Sequence, residues 1–408
     1  MGFLEELAAR RRFGMKPGLE TIRGICRLLG DPQRGLRAIH VAGTNGKGAV
    51  CALLDSALGA AGFAVGRYTS PHLVRLNERF FLRGLPLDDA TLERISSSVG
   101  RAIGRPDGRT VPQPTFFEAL TAVAFLAYAE AHPDFVILET GLGGRLDATN
   151  VCEPALCVIT RVGLDHCDWL GDTVEKIAAE KAGIVKPDVP VVLAKNAPSV
   201  RAVVEARARE VGAPFHYAPD LAGEAEVPAD CSLRGSFNRE NAVTALAALK
   251  VLGLSTPGSV GGFSRAVWPG RFQRVRNFIV DGAHNPPAAE ALAAALAETG
   301  ECLDLIAGFC GDKDVDTVLR TLAPHVRAAL AVRTNNPRSL SAEETAARMR
   351  AAGIDASPCG SLREALDRTA RRPALVCGSL FLAGEAVVAL GGYPWPADRF
   401  DPSERLRA

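Results

Sequence analysis

Two α/β domains, the first built on a parallel sheet and the second smaller, are what the sequence predicts. Apolar residues fill 47% of 408 positions, more than one moderate core needs. From Ala38 to about Ala194, short β-rich runs alternate with helical patterns. The alternation resumes beyond LSTPGSVGGFSRAVWPG, whose density of Gly, Ser and Pro suits a connection, so the domains are expected at 1–268 and 269–408.

The elements follow in order. IHVAG reads as a strand, a Gly-rich turn follows, and AVCALLDSALGAAG reads as a helix. PTFFEALTAVAFLAYAEAH is a long buried helix, FVILET and ALCVIT are buried strands, TVEKIAAEKAGIV is a helix and VPVVLA a strand. NRENAVTALAALKVLG is the helix before the connection. Beyond it NFIVDGAHN, LDLIAGF, AALAVRT and PALVCGS read as strands separated by Ala-rich helices such as PAAEALAAALAETG.

Bulk properties exclude several classes. A formal charge of +1 predicts no nucleic-acid or membrane partner. MGFLEELAARRRFGMKPGLE lacks the continuous apolar core of an export signal, and the run from Leu120 to Ala129 is far below the ~20 residues that span a bilayer. The ten cysteines form no C-x-x-C pair and sit mostly in apolar surroundings, as buried thiols of a reducing, cytoplasmic compartment would.

HVAGTNGKGAV sets a small-residue loop between a strand and a helix. Backbone N–H groups and a helix N-terminus can surround phosphate oxygens there, and Lys47 adds a point charge. Thr44, Asn45, Gly46, Lys47 and Gly48 are the candidate contacts. The loop is shorter than the full Walker pattern, with only Thr44 and Asn45 between Gly43 and Gly46. An ordinary Gly-rich turn is the competing reading, and it gives Lys47 no reason to open the helix.

Three other strand ends carry polar residues. FVILET puts Glu139 at its end, ITRVGLDHCDWLG puts Asp165 and His166 beyond the next strand, and GRYTSPHL puts Ser70 after a third. Ligands gather at such carboxyl ends in open parallel sheets. Together a carboxylate, an imidazole and a hydroxyl could surround a divalent ion. Magnesium prefers oxygen ligands, however, and a lone His is as readily a hydrogen-bonded structural residue.

GTNGKG, LETGLGGRLDATN, and LDHCDWLG followed by EKAGI resemble the dihydrofolate synthase/folylpolyglutamate synthase family, one branch of the amide-forming ligases that include the peptidoglycan Mur ligases. The resemblance runs over nearly the whole chain. It implies a P-loop-containing, parallel-sheet Mur-ligase-like central domain followed by a smaller Rossmann-like α/β glutamate-ligase domain. It also implies ATP, two Mg²⁺ ions, small-molecule substrates (dihydropteroate or folate, and L-glutamate) and a monomer. Lys47, Glu139, His166 and Lys181 match the catalytic positions: Ser70 and Glu139 as ligands of one Mg²⁺, Glu139 and His166 near a second. Lys181, in AAEKAGIVKP, matches a lysine carbamylated by CO₂, a modification that requires the unprotonated amine. Where the family follows its loop with Ser or Thr this chain has Ala49, so one hydroxyl is missing from the magnesium shell.

On the substrate side, the resemblance assigns Met15, Lys16 and Pro17 of RRFGMKPGLETI to the pterin and Arg75 of SPHLVRLNERF to a mobile loop. Phe116, Phe117 and Glu118 of QPTFFEALT match the dihydropteroate site, as do Leu146, Asp147 and Ala148. As bare sequence, the rings read equally as core packing and the loop charges as solvated. VWPGRFQRV and IVDGAHNPPAAEAL resemble the junction and first strand-loop-helix of the glutamate-ligase domain. Arg271 would reach ATP phosphates, Asp281 the ribose or adenine with His284 beside it, and Asn241 the base. ATP would then occupy a cleft whose closure assembles the site. GRFQ resembles members with dihydrofolate synthase activity. The implied chemistry is phosphorylation of a carboxylate to an acyl phosphate that glutamate's amine attacks. Two rivals stay open from sequence: a Mur-type ligase acting on a UDP-linked precursor, and a nucleotide-binding protein that kept the loop without the chemistry.

Overall fold

The computed structural model describes residues 3–4, 18–104 and 111–395. They divide into two units, one holding the described residues up to Asp230 with Glu240–Ala266 and Trp395, the other Cys231–Arg239 with Val267–Pro394. Residues 231–239 precede the expected boundary yet group with the second unit. The reason is Phe237, which packs on that unit's core edge-on to Phe272, ring centroids 6.1 Å apart.

The first unit carries eight strands: β1 (Ala38–Ala42), β2 (Val65–Tyr68), β3 (Phe80–Leu82), β4 (Leu85–Pro86), β5 (Phe135–Glu139), β6 (Pro154–Ile159), β7 (Val191–Leu193) and β8 (Phe215–Tyr217). Their order is β4-β3-β2-β5-β1-β6-β7-β8. β3 pairs antiparallel with both β2 and β4, and the remaining neighbours pair parallel. β1 lies between β5 and β6 with every residue buried, which is why its sequence, apart from His40, is apolar rather than alternating. Register sets Val41 opposite Glu139 on one side and Ala42 opposite Ile159 on the other.

The helix Phe116–Ala131 is apolar on nearly every face and is buried accordingly. Its Phe125 is fully buried, a contribution of roughly 2 to 3 kcal/mol. Arg67 of β2 pairs with Asp55 of the helix Lys47–Ala60 at 3.4 Å, both buried, with the guanidinium 3.8 Å from the Phe81 ring centroid. Removing either partner strands a buried charge, at a cost of about 3–5 kcal/mol.

Part of the Gly- and Pro-dense stretch is not a free connection. It folds into the short helical turns Pro257–Gly261 and Gly262–Arg265, docked on the helix Lys47–Ala60, where Ser56 Oγ donates to Gly262 O at 2.6 Å. A Cβ on Gly262 would sit 2.5 Å from Ser56 O, so a small residue there reflects close packing and not slack.

The second unit is a sheet of β9 (Gln273–Val275), β10 (Phe278–Val280), β11 (Leu303–Ala307), β12 (Val326–Ala331), β13 (Ala356–Pro358) and β14 (Ala374–Cys377), ordered β13-β12-β11-β14-β10-β9. Only β9 runs antiparallel to its neighbour. Among the described residues no helix is long and apolar enough to cross a membrane.

Candidate active site

The carboxyl ends of β2, β5, β1 and β6 stand side by side in the first unit's sheet. The residues that end or follow them, Ser70, Glu139, the loop 43–46 and Asp165–His166, therefore share one edge.

The loop is built to approach an anion closely. Gly43 (φ +154°) and Gly46 (φ +88°) hold backbone conformations that favour glycine. Neither position has room for a Cβ, which would strike Thr160 Oγ1 at Gly43 and Asn241 Oδ1 at Gly46. The chain after β6 clamps the loop. Thr160 Oγ1 donates to Asn45 O at 2.8 Å, Arg161 O accepts from Thr44 N–H (2.8 Å) and Asn45 N–H (3.2 Å), and Gly163 N–H donates to Thr44 Oγ1 at 3.1 Å. The helix Lys47–Ala60 starts on Gly46 with no side-chain cap, so the N–H groups of Lys47, Gly48 and Ala49 are presented at a helix N-terminus. Ala49 itself is buried and offers no oxygen.

Two lysines converge on one loop carbonyl. Lys47 Nζ donates to Gly43 O (3.0 Å) and Thr44 O (3.2 Å), and Lys181 Nζ donates to Gly43 O at 2.8 Å. Lys181 is 3% exposed. Burial and then the Lys47 charge lower its pKa to about 7, against the opposing pull of Asp165 and Asp147. A helical lysine that sequence alone reads as a surface charge is thus a buried, readily neutralised amine at the phosphate loop.

Glu139 is also buried, and its Oε2 accepts the Ser70 N–H at 3.0 Å, which ties the end of β5 to the chain leaving β2. His166 is 47% exposed in its side chain, in a left-handed conformation (φ 52°), with Nε2 3.9 Å from Asp165 Oδ1. Among the described residues no three His, Cys, Asp or Glu side chains converge as metal ligands. The expected set needs fewer of these: one carboxylate, one hydroxyl, one imidazole and a lysine. It fits a magnesium ion, which retains several waters, only once Lys181 exchanges its ammonium for a carbamate's oxygens.

The GRLDATN segment is held by its own aspartate. Asp147 Oδ2 accepts from Gly141 N–H (2.8 Å) and Leu142 N–H (2.9 Å), and Oδ1 from Thr149 N–H (3.0 Å) and Oγ1–H (2.5 Å). Burial pushes this carboxyl up, against these four donors, which favour the anion. Because the Thr149 hydroxyl proton goes to Asp147, His40 Nε2, 2.8 Å from Thr149 Oγ1, must be the donor in that contact. His40 is therefore the Nε2–H tautomer, and its buried Nδ1 has no partner. Burial, with Lys186 adding to it, lowers the His40 pKa to about 3.

A pH dependence follows. As pH falls from the ordinary histidine range toward 3, the unfolded chain takes up a proton that folded His40 refuses, so stability is lost over that window. Between pH 7 and pH 5, urea denaturation should show the wild type losing about 2 kcal/mol more than His40→Asn. Equal losses would mean that the folded imidazole accepts the proton freely.

The pterin-side candidates have local roles of their own. Glu118 is buried and closes a capping box, its Oε2 accepting Thr115 N–H at 2.7 Å and Oγ1–H at 2.8 Å. Phe117 lies 6.0 Å from Tyr68 between ring centroids and fills the space beside Gly141, and Phe116 has the Arg79 guanidinium 5.9 Å from its ring centroid. Arg75 is buried and faces Asp89 at 3.5 Å. Its loop is shaped by Glu78, whose carboxylate accepts from Leu73, Val74 and Arg75 N–H at 2.7–3.0 Å. Leu146 is half-buried, and Ala148, buried, starts a short 3₁₀ turn. Met15, Lys16 and Pro17 lie outside the described residues.

In the second unit, Asp281 is buried at the end of β10, accepting Phe272 N–H and Ala283 N–H, both at 2.7 Å. Burial raises its pKa and Arg271 opposes the rise. His284 Nδ1 is 2.8 Å from Gly282 O, and a Cβ on Gly282 would meet Arg271 Nη1 at 2.7 Å, so Arg271, Asp281 and His284 form one cluster. Gln273 bridges Gly270 N–H (2.9 Å) and Gly392 O (2.8 Å), the second of which a Glu could not serve as donor. Sequence reasoning passed over Thr160, which locks the phosphate loop, and Asn150, whose Nδ2 donates to Arg145 O and Gly183 O. The signal for Thr160 was its place at the end of a strand, but pairing of that strand with β1 is not written in the sequence.

Comparison with known proteins identifies the family and the fold. The Mur ligase middle domain model matches residues 41–214, and the Mur ligase, glutamate ligase domain model matches residues 270–380. The Bacillus subtilis (strain 168) dihydrofolate synthase/folylpolyglutamate synthase is 40% identical over 313 residues, covering 70% of this chain and 73% of that protein. The Mycobacterium tuberculosis folylpolyglutamate synthase complexed with ADP and AMPPCP matches with TM-score 0.88 and 30% identity over 96% of this chain and 99% of that one. The E. coli FolC in complex with DHPP and ADP gives TM-score 0.84, 30% identity and coverages of 96% and 98%. A bifunctional folylpolyglutamate synthase/dihydrofolate synthase with Mn, AMPPNP and L-glutamate bound gives 0.82, 30%, 96% and 98%. The two-domain Mur-ligase-like fold and the resemblance read from GTNGKG, GRLDATN and LDHCDWLG are borne out. The chain belongs to the dihydrofolate synthase/folylpolyglutamate synthase family.

Proposed function

We propose that this protein is an ATP-dependent ligase that joins L-glutamate to a pterin-linked carboxylate: that of dihydropteroate, the terminal glutamate of a folate, or both. The observation that carries this reading is the strand-end edge of the first unit, where a phosphate loop with two lysines on Gly43 O adjoins the buried carboxylate of Glu139. Relatives of this chain solved with ADP, AMPPCP, and with Mn, AMPPNP and L-glutamate support it.

In this reaction a carboxylate oxygen of the acceptor attacks the γ-phosphorus, the bond to ADP breaks, and an acyl phosphate forms. The glutamate nitrogen then attacks the acyl carbon and phosphate leaves with the C–O electrons. The N–H groups at the start of the helix Lys47–Ala60 hold phosphate oxygens, and Lys47 neutralises charge on the moving phosphoryl group. Ser70, Glu139, His166 and carbamylated Lys181 would hold divalent cations, two in all, whose contribution is to offset phosphate charge. Phe116, Phe117, Glu118, Leu146, Asp147 and Ala148 are assigned to the pterin side with Met15, Lys16, Pro17 and Arg75. Asn241, Arg271, Asp281 and His284 are assigned to the nucleotide. A reducing, cytoplasmic compartment suits the ten free cysteines, eight of them buried.

The test is glutamate-dependent ADP release from MgATP, run in parallel with dihydropteroate and tetrahydrofolate. Turnover with both is expected of a bifunctional enzyme, and turnover with one fixes the step. Absence of turnover with either, in folded protein, would refute the ligase reading.

A further inference from the structure

A cavity of about 520 Å³ opens at the opposite edge of the first unit's sheet, where β6 begins and the chain enters β1 and β7. Four cations line it: Arg23, Arg27, Arg34 and Lys186. Two carboxylates, Asp31 and Glu153, offset them in part, Asp31 lying 3.8 Å from Arg34. Among the described residues Arg23 and Arg27 have no ion-pair partner. Lys186, held by Asn150 O at 3.0 Å, has its pKa lowered first by burial and further by the Arg23 charge, so cations outnumber carboxylates four to two around the cavity.

The wall also holds two unmatched acceptors. Gln33 and Asn150 line the cavity, are 7% and 5% exposed, and leave Oε1 and Oδ1 buried with no hydrogen-bond partner. Their amide nitrogens are already engaged, Gln33 Nε2 with Asp31 (3.2 Å) and Asn150 Nδ2 with Arg145 O (2.9 Å) and Gly183 O (3.1 Å). Unmet cations beside unmet carbonyl acceptors call for a ligand with several anionic groups and N–H donors on one short backbone. Inorganic phosphates offer the first at neutral pH without the second.

We infer that this cavity binds a short γ-linked oligoglutamate, whose carboxylates meet the arginines and Lys186 and whose amide N–H groups reach Gln33 and Asn150 after a small rotation of those side chains. The inference rests on the ligase reading, since such a chain is what repeated glutamate addition builds. The site is separate from the phosphate loop, which lies at the other ends of the same strands. Asn150 connects the two, because its amide also holds the turn that follows Lys181.

Isothermal titration of the full chain with tri-γ-L-glutamate, in saturating ADP, tests it. The wild type should show saturable binding. Lys47→Ala should retain it, and Arg23→Ala/Arg27→Ala, which changes two exposed side chains, should weaken it at least tenfold. No saturable binding, binding indifferent to the double substitution, or binding lost with Lys47→Ala would overturn the site. Pyrophosphate binding as tightly and with the same dependence on the arginines would overturn the oligoglutamate assignment. ADP release on the same preparations separates the two readings: turnover without tripeptide binding defeats this inference alone, and arginine-dependent binding without turnover defeats the ligase reading alone.

Discussion

Lys47→Ala should lower glutamate-dependent ADP release at least a hundredfold while the protein keeps its fold. The side chain is half-buried at the first turn of its helix, and its ammonium lies over the loop, bonded to Gly43 O and Thr44 O. Phosphoryl transfer moves negative charge through this space. A preorganised donor aimed at developing charge is worth about 10²–10³ in turnover. Loss of the amine leaves Gly43 O still bonded by Lys181, so the loop keeps one of its two staples. If Lys47 served only as a staple, the substitution would lower the urea midpoint and ATP affinity but spare turnover at saturating ATP. Lys47→Arg should restore little, because a planar fork does not replace a compact point charge. Glu139→Ala should be comparably damaging, and full activity in a folded Glu139→Ala protein would sink the metal assignment.

Much of this edge was legible in the sequence because strand ends and Gly-rich turns are local signals. IHVAG, FVILET and ALCVIT gave three buried strands, and the residues just past them gave the loop, Glu139, Asp165 and His166. Long-range pairing was not legible. Nothing local says that β5 and β6 flank β1, and so nothing local says that Thr160 locks Asn45 or that Lys181 reaches Gly43 O across 138 residues of chain. Hydrogen-bond saturation was equally hidden. Asp147, Glu118 and Asp281 look like ligand-seeking carboxylates in sequence, yet both oxygens of Asp147 and Asp281, and Oε2 of Glu118, accept from nearby chain donors. Their first effect is to fix a loop or helix start, and any contact with substrate is made by the geometry they fix. Packing inside the Gly- and Pro-dense connection was hidden for a related reason: Gly262 meets the backbone of the helix Lys47–Ala60, a contact between segments far apart in sequence.

Lys181→Ala should abolish turnover, and the wild-type lysine should carry CO₂. Protonation decides the chemistry, since only the neutral amine attacks CO₂. With its pKa lowered to about 7, about half of Lys181 is neutral at pH 7, against roughly one molecule in three thousand for a lysine at the ordinary 10.5. The fraction able to attack CO₂ is thereby raised about a thousandfold, and it increases as pH rises through 7. Carbamylation then removes a positive charge that Lys47 repels and installs an anion that Lys47 attracts, so the modified state is favoured by the same neighbour that lowered the pKa. Protein equilibrated with ¹³C-bicarbonate should show one enriched carbamate carbon, absent from Lys181→Ala, and the peptide containing Lys181 should gain the mass of one CO₂ under gentle handling. Lys181→Met should stay inactive in bicarbonate, while short carboxylic acids that can occupy the vacated space should restore part of the activity to Lys181→Ala. No label on the wild type, together with turnover unchanged in CO₂-depleted buffer, would leave Lys181 as a buried amine whose task is to hold Gly43, and the metal would have to find its third oxygen ligand elsewhere on the edge.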